Sequence, residues 1–260
     1  MQDFTVIIPA RYASERLPGK CLLDIVGKPM IQRVYEQAIQ SSAQNVIVAT
    51  DDQRIFDVVQ RFGGDVCMTS ETHSSGTDRL QEVAASRRFD DAHVVVNVQG
   101  DEPLIPPQAI DQVARELMDN QARIASLAEP IVNENDFRDP NVVKVVIGED
   151  GGALYFSRAP IPWPRDESTP GQASLPTQLA ALKHLGIYAY QVRLLNEFIT
   201  WAPAILEQTE KLEQLRALWH GVKISIGISA VPIPAGVDTA QDLQRVIEFV
   251  RTSENTWSTH

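Results

Sequence analysis

The sequence predicts a doubly wound α/β core interrupted by a β-rich insertion, and three observations carry that prediction. Apolar runs of strand length recur along the chain: TVIIPA at 5–10, NVIVAT at 45–50, HVVVNVQ at 93–99, VVKVVI at 142–147 and KISIGISA at 223–230. Stretches of helical period lie between the first of them, and such alternation predicts parallel strands joined by right-handed crossovers. After about residue 120 the alternation gives way to strands flanking a proline-rich stretch.

Each element has its own signal. Met30, Ile31, Val34, Tyr35, Ala38 and Ile39 fall on one helical face, as do Ile55, Phe56, Val59 and Phe62. Ile110, Val113, Ala114, Leu117 and Met118 repeat the pattern. In the second half GALYFSR at 152–158 and HLGIYAYQ at 184–191 read as strands. Between them, residues 159–176 carry five prolines and read as a long loop, ordered or mobile. Helices resume at 192–201 and 209–220, before the strand at 223–230 and a last helix from about 240. The expected organisation is therefore a core of residues 1–125 and 221–260, with 126–220 as the insertion. A chain of 260 residues has ample capacity for such a core.

Composition narrows the function classes. The formal net charge of −11 argues against general nucleic-acid or anionic-membrane binding. No apolar run approaches the ~20 residues needed to span a bilayer, and MQDFTVIIPA enters a strand at once, without the layout of a secretory signal. Cys21 and Cys67 are widely separated and form no CxxC, so two free thiols or one disulfide both fit, the thiols matching a reducing cytoplasm.

Against that acidic background, IIPARYASERLPGKC at 7–21 gathers Arg11, Arg16 and Lys20 directly after the first strand. Open α/β folds bind ligands at such strand ends. The segment is neither a Walker A loop nor a GxGxxG fingerprint, so side chains would supply the positive field, with Arg as a planar fork and Lys as a point charge. It reads as a phosphate site or as a solvated basic loop. NVQGDEP at 97–103 runs a buried strand into Asp101 and Glu102, which suits either a hard cation such as Mg²⁺ or a simple turn. PAGVDTAQDL at 234–243 brings Asp238 to a second strand end, and Thr239 with Asp242 can cap the following helix without it. Two carboxylates facing a cationic loop suit metal-assisted phosphoryl or nucleotidyl transfer. TSETHSSGTDRL at 69–80 places Gly76 and Arg79 at a helix start, where an anion or an ordinary loop would fit. In the insertion, His184 and Tyr188 are four residues apart on one strand face, and Glu210, Glu213, Gln214 and Arg216 flank a leucine stripe.

Together, IIPARYASERLPGK, SSGTDR, NVQGDEP, VKVV, LYFSR, HLGIYAY, LEQLR and GVDT, in this order from about Val6 to Leu243, resemble the 3-deoxy-manno-octulosonate cytidylyltransferases. That resemblance implies a nucleotide-binding, glycosyltransferase-A-like core with a mixed, mostly parallel sheet, and an insertion used for sugar binding and dimerisation. It implies transfer of CMP from CTP to the acid sugar Kdo, giving CMP-Kdo and pyrophosphate for lipopolysaccharide assembly. It assigns Arg11, Arg16 and Lys20 to the triphosphate, Pro9 and Ala10 to the nucleoside, and Ser75, Gly76, Arg79 and Gln99 to the cytidine pocket. It assigns Asp101 and Asp238 to Mg²⁺, and makes Arg16, Lys20, Asp101 and Asp238 the catalytic set. Around the sugar it assigns Arg158, His184, Tyr188, Glu213 and Gln214. Cys21 stands where that family often has proline. The loop at 159–177 could cover the sugar, and Leu212, Leu215, Leu218 and Trp219 could form a homodimer face or pack internally. The same transfer onto 8-amino-Kdo or another acid sugar, and a catalytically silent nucleotide-binding regulator, are the rival readings.

Overall fold

The computed structural model describes residues 3–13, 17–73, 75–165 and 181–257. The first half alternates as the apolar runs dictate. Strand β1 (Phe4–Ala10) leads through a short hairpin, β2 (Asp24–Ile25) and β3 (Lys28–Pro29), into α1 (Met30–Ala38). Then come β4 (Asn45–Thr50), α2 (Gln53–Arg61), β5 (Asp65–Met68), α3 (Gly76–Ser86), β6 (Val94–Asn97) and α4 (Pro107–Asp119). The second half comprises β7 (Ile124–Pro130), α5 (Glu134–Arg138), β8 (Lys144–Ile147), β9 (Ala153–Ser157) and β10 (Leu182–Gln191). It closes with α6 (Val192–Phe198), α7 (Ile205–Glu210), α8 (Gln214–Trp219), β11 (Ile224–Ile228) and α9 (Ala240–Trp257).

Among the described residues, nine strands form one sheet whose main path runs β11-β7-β10-β6-β1-β4-β5, with β8 and β9 branching from β10. Strands β5, β4, β1 and β6 are mutually parallel, as is the pair β11 and β7, whereas β10 is antiparallel to both β6 and β7. The sheet is thus mixed and mostly parallel. Strand β7, which straddles the expected boundary at 125/126, and β10, from within 126–220, are pairing partners in the middle of this sheet, with β8 and β9 on the branch from β10.

Helices cover both faces. Val34 and Ala38 of α1, Ile55 and Val59 of α2, and Ile110, Val113 and Leu117 of α4 pack with Val6, Ile8, Val94 and Val96 on one side. Leu80 and Val83 of α3, Leu194, Leu195 and Phe198 of α6, and Leu215 of α8 pack with Ile7, Val95 and Ile124 on the other. Strict alternation along β1 and β6 sends successive side chains to these two cores.

The leucine stripe read as one helix over 209–220 is divided. Lys211, with φ +56°, ends α7 in the left-handed region, and α8 starts afresh at Gln214. The stripe continues across the break, since Leu212 and Leu215 are both buried in the second core. Residues 166–180, most of the proline-rich loop, lie outside the described residues.

Candidate active site

Strand order places the site. From β1 the chain winds outward through β4 to β5, then returns to lay β6 on the opposite side of β1. A crevice opens where the winding reverses, beyond the carboxyl ends of β1 and β6. Here it is a cleft of about 730 Å³ lined by residues that include Pro9, Arg11, Tyr12, Lys20, Gln99 and Asp101. Gly76, Arg79 and Asp238 complete its wall. Gly100 lets the two strand ends close on each other: a Cβ there would lie 2.9 Å from the Pro9 carbonyl oxygen.

The loop after β1 is tied down at its far end. Gly19, with φ +67°, donates its N–H to the Tyr12 carbonyl at 3.0 Å, and a Cβ at Gly19 would press on the Tyr12 ring at 3.0 Å. The other face of that ring carries the Arg54 guanidinium, 3.3 Å from its centroid, and Arg54 is itself bonded to Asp52. Beneath the loop, Cys21 is buried between the Arg11 and Gly100 carbonyls, each 3.8 Å from Sγ. Burial pushes its thiol up to about 12, with Asp101 adding to the effect, so it is an unreactive packing group.

Lys20 projects between two acidic loops, Asp101 beyond β6 and Asp238 in the irregular stretch between β11 and α9. Asp238 therefore does not sit at the second strand end expected from the sequence. The Lys20 ammonium donates to Asp101 Oδ2 and, at 3.3 Å, to Asp238 Oδ1. Its side chain is 15% exposed. Burial works to lower its pKa, but Asp101 and then Asp238 outweigh that and hold it above its ordinary value. The Asp238 loop is fixed by the backbone, since Val237 N–H donates to the Asp101 carbonyl at 2.8 Å.

A smaller lobe of about 210 Å³ shares Gly76 and Gln99 with the cleft. Its other walls include Thr77, Asn97, Tyr188, Tyr190, Glu213 and Gln214. Ser75 caps α3 through a reciprocal box with Asp78, and Thr77 in the first turn donates to Glu213 Oε2 at 2.7 Å. Burial raises the Glu213 carboxyl against the opposing effect of Thr77, Ser75 and Arg216. The Tyr188 and Tyr190 hydroxyls are likewise raised, first by burial.

Comparison with known proteins meets this geometry. The family model for cytidylyltransferases matches residues 5–224. The 3-deoxy-manno-octulosonate cytidylyltransferase of Vibrio vulnificus is 55% identical over 248 residues, which cover 95% of this chain and 98% of that protein. Its counterpart in Pseudomonas fluorescens is 57% identical over 244 residues, 94% of this chain and 96% of that one. The chain belongs to the 3-deoxy-manno-octulosonate cytidylyltransferase family. Among solved structures, a CMP:2-keto-3-deoxy-manno-octonic acid synthetase complexed with CTP superposes with a TM-score of 0.88 at 42% identity, covering 97% of this chain and 100% of that one. The expected fold class holds.

Within this cytidylyltransferase the residues singled out from the sequence divide by place. Pro9, Arg11, Lys20, Gly76, Arg79, Gln99, Asp101 and Asp238 line the cleft. Ala10 is buried behind it against Gly100, and Ser75 is the α3 cap. Arg16 lies outside the described residues. Arg79 is 1% exposed and its guanidinium is engaged by Asp51, Thr69 and Ser70, so it braces the wall. Tyr188, Glu213 and Gln214 line the lobe.

Arg158 and His184 line neither the cleft nor the lobe. Arg158 donates to the Glu210 and Pro140 carbonyls at 2.7 and 2.8 Å. His184 bonds Ser126 Oγ at 3.0 Å and meets the Phe156 ring edge-on. Burial pushes its imidazole down to about 3. Despite a register shift in β10 between Leu185 and Tyr188, His184 and Tyr188 share one face, opposite Ala128 and Ser126, with their rings 5.3 Å apart, but only Tyr188 reaches the lobe. Sequence reading missed Asn97, Tyr190, Thr77 and Tyr12. Two of these carried a usable signal: Asn97 and Tyr190 lie two residues from Gln99 and Tyr188, hence on the same strand faces.

Proposed function

We propose that this chain transfers CMP from CTP to the anomeric hydroxyl of Kdo, releasing pyrophosphate and feeding lipopolysaccharide assembly. The observation that carries the reading is the cationic cleft at the β1–β6 reversal, with Lys20 held between Asp101 and Asp238, in a chain so similar to named Kdo cytidylyltransferases. No observation favours transfer onto 8-amino-Kdo or another acid sugar.

In the reaction the hydroxyl oxygen forms a bond to the α-phosphorus, the bond to the β-phosphate bridging oxygen breaks in line, and the hydroxyl proton is released. Bringing an anionic sugar to a triphosphate is electrostatically uphill. Arg11, Arg16 and Lys20 offset that repulsion, and Lys20 stabilises charge growing on the departing pyrophosphate, a reading supported by Arg11 and Lys20 lining the cleft. No nucleophilic side chain is needed.

Mg²⁺ fits the acidic pair. Among the described residues no group of three or more His, Cys, Asp or Glu is positioned to hold a metal. Asp101 and Asp238 nonetheless converge on one cationic centre, the Lys20 ammonium, which occupies the kind of position a divalent ion would take. Mg²⁺ commonly uses one or two carboxylates and completes its shell with phosphates and waters. Asp101 and Asp238 would hold it; when bound it neutralises phosphate charge and lowers the pKa of the attacking hydroxyl.

The lobe is the seat of the sugar, with Tyr188, Glu213 and Gln214 around it. The enzyme acts in the cytoplasm as a homodimer. Leu212 and Leu215 are buried in their own core, which leaves Trp219, 56% exposed, as the part of the 212–219 stripe available to a partner. Sedimentation of the wild type and Trp219→Glu would test that interface. No helix of the described residues is long and apolar enough to cross a membrane.

The test of the activity is pyrophosphate release with CTP and Mg²⁺, comparing Kdo, 8-amino-Kdo, sialic acid and no sugar. Kdo-dependent release is expected. Release with another sugar alone would reassign the acceptor, and silence with all, from protein that binds CTP, would point to a regulator.

A further inference from the structure

Among the described residues, two acceptor atoms of the lobe find no donor: the Asn97 carboxamide oxygen and Glu213 Oε1. Asn97 is only 4% exposed. Buried polar atoms are almost always hydrogen-bonded, and an orphan among them calls for a reason. Ile124 and Phe198, which also line the lobe, offer no donor.

The position is not an accident of a loose segment. Asn97 is the last residue of β6, in register with Ile7 of β1 and Tyr188 of β10, so strand pairing on both sides fixes its backbone. Alternation puts it on the same face as Val95, which is core, and Gln99, which lines both lobe and cleft. Along that face an apolar residue gives way to two carboxamides where the cavity begins. Glu213 enters from the other side of the sequence, on the turn before α8, with its second oxygen already committed to Thr77.

We propose that Asn97 is a specificity-determining residue for the acceptor sugar. Its carboxamide oxygen accepts a hydrogen bond from a sugar hydroxyl, alongside Glu213 Oε1, so the lobe selects a polyhydroxylated ligand that presents donors to both. The proposal rests on the reading that the lobe holds the sugar. A site built around buried acceptors rejects analogues lacking the matching hydroxyl far more strongly than an apolar pocket would.

Two substitutions test it. Asn97→Leu keeps the branched side-chain shape, somewhat bulkier, without the acceptor, and Asn97→Ala removes the carboxamide without adding bulk. Each is expected to raise KM for Kdo by about tenfold or more while KM for CTP stays within about twofold. The decisive readout uses Kdo analogues each lacking one hydroxyl. Wild type should discriminate against one of them by about tenfold or more, and Asn97→Leu should treat that analogue and Kdo alike. A packing defect would not erase that one preference selectively. Unchanged KM for Kdo in the folded variants, a rise in KM for CTP instead, or full discrimination retained against every analogue would overturn the proposal. If Ala fails to fold, Leu alone decides. Wild type that releases no pyrophosphate with Kdo would refute the sugar reading itself, and this proposal with it, before any variant is assayed.

Discussion

The cleft and its lobe share Gly76 and Gln99 yet manage charge in opposite ways. In the cleft, charges are partly solvated and matched: Lys20 bridges two carboxylates, and Arg54 lies on Tyr12 while bonded to Asp52. In the lobe, polar groups are buried and left partly unmatched, and burial raises Glu213, Tyr188 and Tyr190 together. The contrast suits the two ligands proposed for these regions. A triphosphate with Mg²⁺ carries its own charges and needs a field to enter, whereas a sugar is recognised by hydroxyls, for which dry, unmet acceptors are more discriminating.

The largest effects should come from breaking the matched side. Asp101→Asn and Asp238→Asn should each lower kcat by about 10²-fold or more with the fold intact, since each removes a charge from the cation position. Circular dichroism and kcat at saturating Mg²⁺ decide it, and near-normal turnover in either variant would remove that residue from the metal role. Lys20→Ala should follow, with a loss of roughly 10²-fold expressed mainly in kcat. Unchanged kinetics with CTP would show that Lys20 serves only to neutralise the aspartates.

A smaller effect sharpens the same side. Arg54 is exposed and reaches the cleft only through the Tyr12 ring, so it positions the loop rather than acting on substrate. An exposed cation–π contact is weak, so Arg54→Ala should raise KM for CTP by only about two- to fivefold. Arg54→Lys should restore part of it, and kcat should be little changed. Equal losses in kcat would mean that Arg54 does more than hold the ring.

The two regions also differ in how far the sequence exposes them. The cleft is built on β1 and β6, buried parallel strands that read as unbroken apolar runs, and its residues follow directly at their ends. Lys20 and Asp101 were therefore legible from position alone, whereas Asp238 was reached by reading a strand before it, where the structure has the irregular stretch between β11 and α9. The lobe depends on β10 lying antiparallel between β6 and β7, a long-range pairing with no local signature. Strand β7, IASLAEP, is rich in alanine and serine and went unread, as did the short, half-exposed β5. The division of 209–220 was hidden because Leu212, Leu215 and Leu218 keep helical spacing although Leu212 lies in the break before α8. His184 and Tyr188 were placed on one face by counting, and the two extra residues of the shift within β10 preserve that face, since His184 and Tyr188 oppose Ala128 and Ser126 of β7. Asn97 was within reach of alternation, but a carboxamide at a strand end looks structural until its oxygen is found without a donor.

The smallest expected effect is on stability, and it tests the burial side directly. Burial raises the Glu213 carboxyl, with Thr77, Ser75 and Arg216 only partly opposing it. The folded chain therefore holds the Glu213 proton more tightly than the unfolded chain. Above the ordinary carboxylate pKa of about 4.3 the unfolded state binds fewer protons, so this group makes stability fall as pH rises until the folded pKa is passed. Below that ordinary value its contribution is fully favourable. Glu213→Gln cannot ionise and can still accept from Thr77, so it should be more stable than wild type at neutral pH, with the difference vanishing as pH falls toward 4. Thermal melts of both proteins across that range check the prediction. A gain that persists at low pH would trace to packing instead, and a loss at neutral pH would mean that the Glu213 charge is matched within the lobe after all.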